Sequence, residues 1–105
     1  MSKIAIDFDG VLCERYGIPT EGSFYDSPPT EGAVDAIKWF KKLGHEIYIF
    51  TSHDKKEYPK MKQWLKEQGF PSLRIADIKE PNTTAFIDDR AIRFTSWQDI
   101  RKYWG

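Results

Sequence analysis

The stretch Ile4-Ala5-Ile6-Asp7-Phe8-Asp9-Gly10-Val11-Leu12 constrains the fold more than any other part of the chain. A short apolar run at this spacing is the pattern of a buried strand, in which neither face sees water. Gly10 marks the point where that strand ends and the chain turns. Residues two apart in an extended chain point to the same side. Asp7 and Asp9 are therefore expected to emerge together at the carboxyl end of a buried strand. In open α/β sheets that end is where ligands bind.

The rest of the chain alternates strand and helix patterns. The first strand is expected over 3–8. Residues 10–30 read as a long loop with Gly10, Gly17, Pro19, Gly22, Pro28 and Pro29, and its aromatics Tyr16, Phe24 and Tyr25 suggest a flap that packs over something. A helix is expected from Thr30 or Glu31 to about Leu43, with Ala33, Ile37 and Phe40 at helical spacing and Gly44 as its stop. Residues 45–50 read as a second strand, closed by Thr51-Ser52-His53. A second helix covers roughly 57–68 on the apolar positions Met61, Trp64 and Leu65, and Gly69 ends it. A weaker third strand is expected over 73–76 and a fourth over 84–87, with a short fifth strand at 91–94. Ser96-Trp97-Gln98-Asp99 has the pattern of a helix start, which opens a last helix over 97–103. The four tryptophans, Trp39, Trp64, Trp97 and Trp104, read as packing residues.

This order defines an α/β fold: a three-layer, Rossmann-like parallel sheet of four to five strands with flanking helices. At 105 residues the chain is expected to form one domain, 1–105, with 11–30 as a loop insertion and no cap domain. Sixteen basic and sixteen acidic side chains cancel to zero net charge, which gives no electrostatic case for a broad nucleic-acid or membrane surface. A polynucleotide end is not excluded as a ligand. The single cysteine, Cys13, rules out an internal disulfide framework and reads as a small buried residue. No apolar run is long enough to span a bilayer, and the N-terminus lacks the pattern of a secretory signal, so a cytoplasmic protein is expected.

Four strand ends carry polar residues: Asp7 and Asp9, Thr51 and Ser52, Asp77 with Lys79 just beyond, and Asp88 with Asp89. In a parallel sheet these ends share one edge. Carboxylates crowded there repel, and they stay ionised if a cation sits among them. An all-oxygen set suits Mg²⁺. A carboxylate beside a metal, a lysine and a hydroxyl can receive a phosphoryl group. No Gly-x-Gly-x-x-Gly turn or P-loop signature is present, so dinucleotide-binding and P-loop readings fail.

On these residues the chain resembles the haloacid dehalogenase superfamily of aspartate-dependent phosphohydrolases, and in particular its small members without a cap. Asp7-Phe8-Asp9-Gly10-Val11-Leu12 matches the first motif, Ile47-Tyr48-Ile49-Phe50-Thr51-Ser52 the second, Lys79 the third and Phe86-Ile87-Asp88-Asp89-Arg90 the fourth. The resemblance implies a Mg²⁺-dependent phosphomonoester phosphatase. Asp7 would be the nucleophile and Asp9 the acid and base, with its carbonyl on the metal. Thr51 would bind the phosphoryl oxygens, and Lys79 would neutralise charge. Asp7, Asp88 and Asp89 would hold Mg²⁺. Lys79 lies only nine positions before Asp88, closer than the family's larger members place it. Lys55, Lys56 and Arg90 compete for its role, and Arg90 is otherwise expected to brace Asp88 or Asp89 as an ion pair. His53 reads as a loop histidine that could touch substrate. The substrate is a phosphorylated compound of unknown class. The alternative is a non-catalytic phosphate- or metal-binding module on the same fold.

Overall fold

The computed structural model describes residues 1–14 and 27–105, so the expected flap over 11–30 falls largely outside the described residues. Four parallel strands form one sheet: β1 (Lys3–Ile6), β2 (Glu46–Phe50), β3 (Arg74–Ala76) and β4 (Ala85–Ile87), in the order β3-β2-β1-β4. Helix α1 (Ala33–Lys42) connects β1 to β2, and α2 (Tyr58–Gln68) connects β2 to β3. A short α3 (Trp97–Arg101) follows β4. The α/β Rossmann-like parallel sheet read from the sequence is the fold observed, with four strands. Residues 91–94 form no strand; Ile92 and Phe94 are 36% and 59% exposed there, with no ladder to join.

Period-two alternation builds the core. Ile4 and Ile6 of β1 and Ile47 and Ile49 of β2 point to one face. They pack with Ala33 and Ile37 of α1 and with Met61, Trp64 and Leu65 of α2. Trp64 is fully buried, meets the Phe8 ring edge-on at 5.4 Å, and donates its indole N–H to the Ser27 carbonyl at 3.0 Å. Helix α1 begins at Ala33, two to three residues later than the expected Thr30 or Glu31. Gly32 sits at φ 79°, a left-handed conformation that ends any helix reaching back to Thr30.

The other face of the sheet is covered by the segment between β3 and β4. The chain leaves the β3 edge and must pass β2 and β1 to reach the β4 position. It is stapled as it crosses. Tyr48, fully buried on this face, hydrogen-bonds the Thr83 hydroxyl at 2.8 Å and accepts from the Glu80 backbone N–H at 3.2 Å. Glu80 takes both guanidinium nitrogens of Arg74 at 2.7 and 2.9 Å and the Lys3 ammonium at 2.8 Å. The Arg74 and Lys3 cations lie 5.2 and 5.8 Å from the centre of the Tyr48 ring. The third layer is therefore this crossing segment. It also explains the short spacing between Lys79 and Asp88, since the crossing is made without a helix.

Beyond β4 the packing thins. Ser96 does start α3, accepting from the Asp99 N–H at 3.1 Å. Yet Trp97 and Trp104 are 71% and 78% exposed, and Trp39 is 56% exposed. Of the four tryptophans only Trp64 is a core residue. Aromatic content alone does not report burial; Trp39, Trp97 and Trp104 fall on helix faces turned to solvent. Cys13 is buried as expected. No helix among the described residues is long and apolar enough to cross a membrane.

The Glu80 staple gives a pH signature. Hydrogen bonds from Arg74, then from Lys3, hold the Glu80 carboxyl at about 2, below the usual 4.5. A depressed carboxylate contributes stability that is present above its unfolded pKa and lost as pH falls through the folded one. Wild type should therefore melt higher than Glu80→Gln at pH 6, with the difference shrinking as the pH approaches 2. A difference in melting temperature constant between pH 6 and pH 2 would contradict this.

Candidate active site

The site is built by strand pairing. The Asp7 backbone N–H donates to the Ile87 carbonyl at 2.9 Å, which carries the β1–β4 ladder one residue past the strands. The next residues on β4's side are Asp88 and Asp89, so the register delivers three carboxylates to one place. One oxygen from each of Asp7, Asp88 and Asp89 lies within 4.8 Å of the others. Phe8, between the two aspartates of the first motif, turns into the core and is fully buried. Asp7 and Asp9 turn the other way, as the alternation requires. Gly10, at φ 79°, then starts a turn in which the Phe8 carbonyl accepts from the Leu12 N–H at 3.0 Å and the Cys13 N–H at 3.2 Å. The two ends of the long loop meet here: Glu14 N–H donates to the Pro28 carbonyl at 3.1 Å and Thr30 N–H to the Leu12 carbonyl at 3.0 Å.

Asp7, Asp9, Phe50, Ser52, Asp88 and Arg90 line a cavity of about 260 Å³ at this edge. Its electrostatics are strained in one direction. Burial raises the Asp7 carboxyl above its usual value, and the charges of Asp88, Asp89 and Asp9 add to the rise. The Phe8 N–H, which donates to Asp7 Oδ1 at 2.8 Å, opposes it in part. A close group of hard oxygen donors with a destabilised charge is the arrangement a small divalent cation relieves. Asp7, Asp88 and Asp89 could hold one.

The other expected site residues are placed differently. The Asp9 carboxylate does not join the three-carboxylate group; its Oδ2 lies 2.7 Å from His53 Nε2. Thr51 is buried, extends the β2–β3 ladder by donating its N–H to the Ala76 carbonyl at 3.2 Å, and accepts the His53 N–H on its hydroxyl at 3.2 Å. Of the two hydroxyl residues that end the second motif, Ser52 lines the cavity and Thr51 does not. The Lys79 ammonium lies over the Phe86 ring, 5.3 Å from its centre, and Phe86 meets Phe50 edge-on at 6.1 Å. Neither Lys79 nor Phe86 is among the residues lining the cavity. Arg90 lines the cavity and contacts Asp88 through its backbone N–H at 2.7 Å, in place of the expected side-chain ion pair. Lys55 pairs with Asp77 at 3.5 Å instead of reaching the aspartates. His53 is the partner that residue-by-residue reading undervalued. Its only signal was its position on the same edge, two residues beyond Thr51.

Among curated proteins the chain is similar to two bacterial ones that carry the name Putative nucleotidase. With that of Oceanobacillus iheyensis it is 38% identical over 50 residues, 48% of this chain and 27% of that protein. With that of Bacillus cereus it is 42% identical over 74 residues, 59% of this chain and 39% of that protein. The matches thus span well under half the length of either relative. No protein-family model and no solved structure matches the chain significantly.

The raised Asp7 carboxyl makes a stability prediction. An acid whose folded pKa lies above its unfolded one costs stability once it ionises, and the cost vanishes below the unfolded value. Asp7→Asn removes the charge and keeps an oxygen for the Phe8 N–H. In metal-free buffer at pH 7 it should raise the melting temperature above that of wild type, with the difference vanishing as the pH falls below the unfolded value. A lower melting temperature than wild type would show that the crowding is not felt.

Proposed function

We propose that the chain is a Mg²⁺-dependent phosphohydrolase of the haloacid dehalogenase type, cleaving phosphomonoesters through an aspartyl-phosphate on Asp7. The observation that carries this reading is the grouping of Asp7, Asp88 and Asp89 at the carboxyl edge of a parallel sheet, beside a cavity that Asp7, Asp9 and Asp88 line. An Asp7 oxygen attacks phosphorus as the ester P–O bond breaks. The electron pair leaves on the alcohol oxygen, which takes the proton of the Asp9 carboxyl. Water then attacks phosphorus and gives a proton back to Asp9. The bond from phosphorus to Asp7 breaks, and inorganic phosphate leaves. Mg²⁺ held by Asp7, Asp88, Asp89 and the Asp9 carbonyl would supply charge neutralisation for the phosphoryl oxygens.

Ser52, which lines the cavity, would bind the phosphoryl oxygens together with the backbone at the end of β2, while the Thr51 hydroxyl accepts the His53 N–H. Lys79 would serve as the charge-neutralising lysine by swinging from its place over the Phe86 ring toward the cavity. The cavity, about 260 Å³, has room for a phosphoryl group together with part of its leaving group. Nucleoside monophosphates are the first substrates to test, because the two relatives are named for nucleotidase activity.

The protein should hydrolyse p-nitrophenyl phosphate or a nucleoside monophosphate with Mg²⁺ and lose the activity with EDTA. Asp7→Asn should cost at least about a thousandfold in kcat, as loss of a nucleophile does. Wild type inactive across aryl, nucleotide, sugar and polynucleotide-end phosphates would overturn the proposal. Mg²⁺ at about a hundred times its dissociation constant should stabilise wild type by about 2.7 kcal/mol. Asp88→Ala should remove most of that gain, and an equal gain in the variant would move the metal elsewhere.

A further inference from the structure

We infer that His53 is a positioning residue: it holds the Asp9 carboxyl in the orientation from which Asp9 protonates the leaving group, an inference that rests on the phosphohydrolase reading above. The geometry is more specific than a loop histidine needs. With Asp9 ionised, His53 Nε2–H donates to Asp9 Oδ2 at 2.7 Å. The His53 side chain is 11% exposed against 26% for Asp9, so the ring approaches the carboxylate from the protein side. His53 is not among the residues lining the cavity, while Asp9 is. The imidazole therefore acts through Asp9.

The imidazole is itself fixed. Its backbone N–H donates to the Thr51 hydroxyl at 3.2 Å, and its ring meets the Phe8 ring edge-on at 6.0 Å. Phe8 is locked in the core against Trp64. The other Asp9 oxygen has a weak donor of its own, the Cys13 thiol at 3.8 Å. A carboxyl on a short side chain beside a glycine turn has several staggered orientations to choose from. A charge-assisted hydrogen bond from a packed ring selects one. Such selection matters where the acid must meet the departing oxygen, since small misplacements at that distance cost rate.

The step affected is the first. The P–O bond to the leaving group breaks, its electron pair goes to the departing oxygen, and the Asp9 proton follows. A leaving group that departs as a stable anion gains little from that proton. The test compares phenyl phosphate with p-nitrophenyl phosphate, which differ little in size and strongly in leaving-group basicity. The measure is kcat/KM, which covers steps only to the departure of the phenol. For His53→Ala, kcat/KM on phenyl phosphate should fall by about tenfold or more, within the range of general-acid catalysis, and on p-nitrophenyl phosphate by less than about threefold. His53→Gln, whose amide nitrogen can take the place of Nε2, should recover most of the loss on phenyl phosphate. Equal falls on both substrates would assign His53 a structural role and overturn the inference alone, as would an increase on either. Wild type inactive on both would overturn it together with the phosphohydrolase reading.

Discussion

One backbone hydrogen bond, from Asp7 N–H to the Ile87 carbonyl, decides most of what this molecule can do. It extends the β1–β4 pairing past the strand ends and fixes Asp7 opposite Asp88 and Asp89. Three carboxylates at this spacing repel. They would separate if the frame that carries them could yield. The frame does not yield easily, because β1 is an inner strand, paired on both sides and packed against both long helices.

That frame is closed on two faces by different physics. Apolar side chains of α1 and α2 close one face. A polar staple closes the other, with Glu80 gripping Arg74 and Lys3 around the buried Tyr48 ring. The staple has a second consequence. It holds the β3–β4 crossing in place, and the crossing sets where β4 lies. The carboxylate group thus depends on contacts on the far side of the sheet from the helices. Past β4 the chain contributes little to the packed core, as Phe94, Trp97 and Trp104 show by their exposure.

Much of this was legible in the sequence, for identifiable reasons. The strands at 3–6 and 46–50 carry dense runs of isoleucine, and the helices carry clear apolar stripes, so pattern alone located them. Asp7, Asp88 and Asp89 were legible because each lies at the end of a short apolar run, 4–6 or 85–87. The companions of these residues were not. Whether Thr51 or Ser52 lines the cavity depends on which side of the chain turns outward after β2. Lys79 sits on a crossing whose path is set by the contact between Tyr48 and Glu80, 32 positions apart. The contact of His53 with Asp9 spans 44 positions and leaves no local trace. Trp97 and Trp104 misled because an aromatic residue at helical spacing reads as core whether or not a partner layer faces it.

The central claim is that the crowded carboxylate of Asp7 is the group that receives phosphorus. The most direct measurement mixes Asp9→Asn protein with p-nitrophenyl phosphate and Mg²⁺, quenches in acid, and maps the phosphoryl group by peptide mass spectrometry. A leaving group that needs no proton lets the first step run, while loss of the Asp9 base slows release. The account predicts phosphorylation of the peptide that carries Asp7, and its absence in the Asp7→Asn, Asp9→Asn double variant. Phosphate on another residue, or p-nitrophenol released in a burst with Asp7 unmodified, would contradict it.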